Sequence, residues 1–247
     1  MKMENRITFS IKGEIKMITE KTIQKCLFEK VCPQITESCE LLCPKLKEID
    51  FLTQNCGMDN IVKMAVTNLQ PAKCELSAFK KLQKIKNNIL DFVESGNNLF
   101  ISSDKTQQGK TTWCCKLMMK YFDEIWSGNC FRTRGYIVHV PSFLAKARKF
   151  AYQETDEYEQ IDSIIRNADL IVWDDITNLK LTETLQAILN TYIDYRFLYQ
   201  KSNIFNGILP SNMEKQLGVK LTSRLIDSSE HIHISANSKN RTIKEVE

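Results

Sequence analysis

No stretch of this sequence approaches the roughly 18 to 20 consecutive apolar residues that carry a helix across a bilayer. The polar N-terminus also lacks the apolar core of a signal peptide. A membrane span is thereby excluded, and a cytoplasmic location is expected. Runs of lysine or arginine long enough to form a nucleic-acid-binding tail are missing too, and a net charge of +4 is too mild to demand an anionic partner. None of the nine cysteines forms a tight Cys-x-x-Cys pair, so the strongest sequence signature of a thiolate metal site is absent. What is present is enough for one sizeable core and a small additional module: 247 residues, 43% of them hydrophobic.

The most informative stretch is 99–113, LFISSDKTQQGKTTW. A short apolar run leads into a polar loop, and Gly109, Lys110, Thr111 and Thr112 open a segment of helical spacing. Backbone N–H groups at a helix N-terminus cradle phosphate oxygens, a lysine reaches the terminal phosphates and a hydroxyl holds magnesium. Lys110 and Thr111 supply the last two, with Gln107 and Gln108 leading into the turn. The pattern departs from G-x-x-x-x-G-K-[ST] at its first position, where Asp104 stands for glycine. A carboxylate near phosphates, at a position without glycine's freedom at positive φ, predicts weaker nucleotide binding.

A second motif lies at 170–176, LIVWDDI, a continuous apolar run ending in two carboxylates. That is the pattern of a buried parallel strand whose C-terminal end faces a ligand crevice. Asp174 is placed to hold magnesium together with Thr111, and Asp175 to orient or deprotonate an attacking water. Residues 202–209 read as a further strand, followed by Pro210, Ser211 and Asn212. Asn212 is either a polar sensor of the γ-phosphate or a structural turn residue. Arg224, on a short amphipathic segment without an acidic partner at helical spacing, is either a surface arginine or one supplied to a neighbour's nucleotide.

Before the phosphate loop, residues 77–94 show helical spacing that ends at Ser95 and Gly96. The domain reading is an N-terminal cysteine-rich module over 1–76 and a nucleotide-binding domain over 77–247, entered through a linker helix at 77–96. Cys26, Cys32, Cys39 and Cys43 can form a four-thiolate zinc site or remain packed free thiols. Lys146, Arg148 and Lys149 form a basic helix face, either solvated or in contact with nucleic acid.

From about Asn98 to Arg241 the sequence resembles the AAA+ ATPases of the DnaC/DnaI helicase-loader family, phage-encoded versions in particular. The carriers are NLFISSDKTQQGKTTW, GYIVHVPSFL, ADLIVWDDI, the PSN before Met213, LTSRLI and the closing SANSKNR. The resemblance implies an α/β three-layer sandwich around a central parallel five-stranded sheet, preceded by a small, mostly helical module. It implies ATP and Mg²⁺ as cofactors, Lys110 and Thr111 as Walker A, Asp174 and Asp175 as Walker B, Asn212 as sensor 1 and Arg224 as arginine finger. Arg241 either faces the nucleotide or caps the last strand. The implied partners are a hexameric DnaB-type replicative helicase, single-stranded DNA and further copies of the chain in a nucleotide-dependent oligomer, all in the host cytoplasm for a phage-encoded chain. Asp175 stands where many of these ATPases have glutamate, which predicts slow hydrolysis. Two other readings share the module: a transposition helper ATPase of the IstB type, and a non-hydrolysing nucleotide-binding adaptor.

Overall fold

The computed structural model describes residues 43–69, 71, 75–128, 131–150, 156–177 and 181–234. Two helices come first, α1 (Pro44–Gln54) and α2 (Ile61–Val66), then α3 (Leu76–Asn87) and α4 (Ile89–Glu94). The helical spacing over 77–94 is therefore realised as two helices rather than one. Asn88 separates them: its side-chain amide donates to the Lys84 carbonyl at 2.9 Å, and its φ of −122° leaves the helical region. An asparagine that bonds its own backbone competes with the helix ladder in this way.

Strand β1 (Asn98–Ser103) delivers the chain through a polar loop at 104–109 into α5 (Lys110–Glu124). There follow β2 (Gly135–His139), α6 (Val140–Phe150), α7 (Asp156–Asn167), β3 (Leu170–Asp174), α8 (Glu183–Leu198) and β4 (Ser202–Ile208). Two short helices, α9 (Met213–Leu217) and α10 (Val219–Ile226), meet at Gly218, whose φ of 88° ends the first and opens the second. Strand β5 (Glu230–Ile234) ends the described residues, in a segment where the sequence alone marks no strand.

All strand pairs are parallel, in the order β2-β3-β4-β1-β5. The sheet is apolar on both faces, as a parallel sheet covered by crossover helices must be. Leu99, Ile101, Ile137, Val172, Ile204 and Ile232 face α3, α4 and α5, while Phe100, Val138, Ile171, Trp173 and Phe205 face α6, α7, α8 and α10. The result is the three-layer sandwich with a central five-stranded parallel sheet that the sequence predicts.

Helices α1 and α2 are part of this body. Leu52, Cys56 and Ile61 sit in the same core as Leu117 and Met118 of α5. The fully buried Lys45 donates to Glu48 at 3.0 Å, to the Phe122 carbonyl at 2.6 Å and to the Ile125 carbonyl, closing the C-terminal end of α5. Cys56 lends its carbonyl to the Ile137 N–H at the edge strand β2, at 2.7 Å. The line drawn at 76/77 therefore runs through one continuous core among the described residues. A second buried cation, Arg196, is built into the opposite layer. It donates to the carbonyls of Ile165, Ala168, Asp169 and Ser202 and to the side chain of Asn203, at 2.6 to 3.1 Å.

Candidate nucleotide site

The site forms where the strand order separates the two motif strands, at the C-terminal ends of β1 and β3 with β4 between them. Gly109 caps α5 with φ 83°, and Gln107 in the preceding turn has φ 58°. These two residues supply the left-handed geometry of the loop, and Asp104 does not take a positive φ. The replacement of the leading glycine therefore costs no backbone strain at that position. Asp104 instead reaches sideways to β5, where its carboxylate lies 3.3 Å from His233 Nε2. Ser102 Oγ bridges His233 Nδ1 at 2.8 Å and His231 Nε2 at 2.7 Å, tying the loop entrance to the edge strand. Burial lowers the His231 pKa, and the charge of His233 acts the same way.

Lys110 is buried and folded back over the loop, donating to Ser103 Oγ at 2.6 Å and to the Lys105 carbonyl at 3.1 Å. Burial lowers its pKa, while the Asp175 and Asp174 carboxylates oppose that shift. Thr111 Oγ1 donates to Asp174 Oδ1 at 2.9 Å, so the hydroxyl and carboxylate expected to share magnesium are in contact. Gln108 and Thr112 are buried beside them and Gln107 is exposed.

The residue that organises the acidic end is Asn206, which the sequence reading missed. It lies on β4, its Nδ2 donates to Asp174 Oδ1 at 2.6 Å, and its Oδ1 accepts the Asp175 N–H at 3.1 Å. Its own carbonyl receives the Ile176 N–H at 3.0 Å. One carboxamide thus holds Asp174 and the left-handed backbone of Asp175, whose φ is 59°. The available signal was an asparagine in a buried apolar strand lying between the two motif strands. His139 was also missed: it ends β2 opposite Asp174, with Nε2 3.8 Å from Asp175 Oδ2.

Other expected residues bond elsewhere. Asn212 is exposed and caps α9, its Oδ1 accepting the Lys215 N–H at 2.9 Å. Arg224 on α10 pairs with Asp194 of α8 at 3.3 Å and lies over the Phe197 ring, 4.7 Å from its centroid. Its acidic partner exists, but on another helix. Lys146 pairs with Glu157 across α6 and α7, and Arg148 is exposed. Cys26, Cys32, Cys39, Arg241 and the Lys149 side chain lie outside the described residues, while Cys43 is a half-buried free thiol. Cys114 and Cys115 are core residues; burial raises both thiols, that of Cys115 to about 12.

The glycine-capped start of α5 after β1 and the acidic end of β3 thus lie on either side of the intervening strand β4. Among solved structures the chain is similar in fold to the DnaC helicase loader (TM-score 0.59, 15% identity), over 72% of this chain and 99% of that one. It is similar to DnaI (0.52, 15%) over 75% and 93% of the two chains. It also matches replication initiator DnaA bound to AMPPCP and single-stranded DNA (0.51, 16%), over 68% of this chain and 48% of that one. No protein-family model and no curated protein matches the sequence. The likeness is thus one of fold.

Proposed function

We propose that this chain is an ATP-dependent loader of a ring-shaped replicative helicase onto single-stranded DNA. The observation that carries the reading is the Thr111–Asp174 contact beside the buried Lys110, on a fold shared with almost the whole of the DnaC loader structure.

The residues fit a magnesium nucleotide. A left-handed glycine at the helix start leaves the loop's N–H groups free to turn toward an anion, and the Lys110 ammonium stands within the same loop. Bound ATP with Mg²⁺ supplies a phosphoryl group whose loss switches the protein between two states. Lys110 exchanges the Lys105 carbonyl for phosphate oxygen, and Thr111 and Asp174 offer the hydroxyl and carboxylate that hold the cation. Asp175, opposite β4, accepts the proton of the attacking water at its carboxylate. Asn206 keeps both carboxylates in register. Asn212 senses the terminal phosphate only after its carboxamide releases the Lys215 N–H, and Arg224 serves a neighbouring copy only after leaving Asp194. Assembly thereby becomes dependent on nucleotide. Single-strand contact falls to Lys146, Arg148 and Lys149. The cysteine-rich front grips the helicase, with Cys26, Cys32, Cys39 and Cys43 either as a four-thiolate zinc site or as packed free thiols.

The test is the mass, by light scattering, of the chain mixed with a hexameric DnaB-type helicase, with and without ATP, beside Lys110→Ala. A complex that responds to nucleotide and to Lys110→Ala is expected. A complex indifferent to both overturns the loader in favour of the adaptor, and no complex under any condition moves the assignment to the transposition helper.

A further inference from the structure

The chain has three histidines, and His139 ends β2 directly opposite Asp174 in the β2–β3 register. One ligand atom each from His139, Asp174 and Asp175 lies within 4.8 Å of the others, His139 Nε2 being 3.8 Å from Asp175 Oδ2. A six-coordinate ion with ligands at about 2.1 Å spaces them about 3 to 4 Å apart, so small side-chain rotations bring all three onto one ion.

We propose that His139, Asp174 and Asp175 bind a divalent transition-metal ion in the absence of nucleotide. Each ligand is aimed by a neighbour outside the set. His139 Nδ1 lies 2.8 Å from Ser142 Oγ in the first turn of α6. With Nδ1–H donated to that hydroxyl, the Nε2 lone pair is turned toward the carboxylates, as hydrogen-bonded metal-binding histidines commonly are. Thr111 and Asn206 both donate to Asp174 Oδ1, which leaves Oδ2 as the ligand atom. Asn206 also holds the left-handed turn that carries Asp175 back beside Asp174. Two carboxylates and a neutral imidazole bring a charge matched to a divalent cation. The nitrogen donor decides the class: magnesium favours oxygen ligands and water, whereas a mixed imidazole and carboxylate set favours ions such as Mn²⁺ or Zn²⁺. The inference stands on strand register and side-chain geometry and does not depend on the loader reading.

Mn²⁺ is the probe, titrated into the full chain without nucleotide or helicase and followed by electron paramagnetic resonance. Wild type is expected to bind one Mn²⁺ and to show hyperfine coupling to an imidazole nitrogen. His139→Ala loses that coupling and weakens Mn²⁺ binding by at least about tenfold, while Ser142→Ala keeps the coupling with a smaller loss. His139 is half exposed, so the variant should fold, and circular dichroism checks it. The coupling in wild type is decisive in any case. No Mn²⁺ binding without nucleotide, binding without nitrogen coupling, or unchanged binding in folded His139→Ala would each overturn the site. With no nucleotide in the sample, failure here leaves the ATP reading untouched.

Discussion

Replacing Arg196 with methionine should be among the most damaging single changes in this protein. The side chain is fully buried, and its guanidinium donates to four backbone carbonyls and the Asn203 carboxamide. Ile165 lies in the last turn of α7, Ala168 and Asp169 connect α7 to β3, and Ser202 opens β4, so one residue closes a helix end and the starts of two strands. Methionine retains much of the apolar volume, so the cavity contribution is small. The loss is five accepted hydrogen bonds at about 0.5 to 1.5 kcal/mol each, with acceptors left dry. Relief of a buried charge works the other way, since burial lowers the Arg196 pKa to about 9. Backbone carbonyls cannot be substituted together with the arginine, so the balance resembles breaking one side of a buried pair, about 4 kcal/mol. Urea unfolding followed by circular dichroism reads this directly. Arg224→Met is the internal control: its side chain is 34% exposed and contacts an Asp194 that Lys220 also holds, so about 1 kcal/mol or less is expected. Equal costs for the two variants, or a loss below about 1 kcal/mol for Arg196→Met, would refute the reasoning.

Lys45→Met should cost about 3 kcal/mol, because the Phe122 and Ile125 carbonyls lose their donor and Glu48 is left as a buried charge. Adding Glu48→Gln should recover part of that loss in the same urea assay, and no recovery would place the effect elsewhere. Stability should fall as pH rises from about 9 toward about 12: unfolded thiols release protons near 9, whereas burial keeps Cys115 protonated to about 12 and raises Cys56 and Cys114 as well. Urea midpoints at pH 8, 9 and 10 check the sign, and a midpoint rising over that range contradicts it. Asp104→Asn removes an exposed carboxylate beside the phosphate loop without disturbing backbone geometry. On the nucleotide reading, affinity for a fluorescent ATP analogue should rise about threefold at low salt and by less at 0.5 M salt. A salt-independent change would point to the His233 contact instead.

Lys110, Thr111, Asp174 and Asp175 could be singled out as candidates in the chain because the patterns that mark them are local. A strand, a turn and a helix start follow one another within 99–113, and the apolar run at 170–176 announces both a buried strand and the end at which its carboxylates emerge. The same local logic placed β1, β3 and β4 and called for layers on both faces. It could not place Asn206 against Asp174, His139 beside Asp175, Asp104 on His233 or Asp194 under Arg224, since these partners lie 32, 36, 129 and 30 residues apart. Nor could it show that Arg196 and Lys45 are buried, or that α1 and α2 share one core with α5. Periodicity states which face of an element is apolar, but strand order and register decide which residues stand opposite one another. Hydrophobic burial assembles the layers from the sequence pattern. The hydrogen-bonded partners that tune the site exist only once those layers have closed.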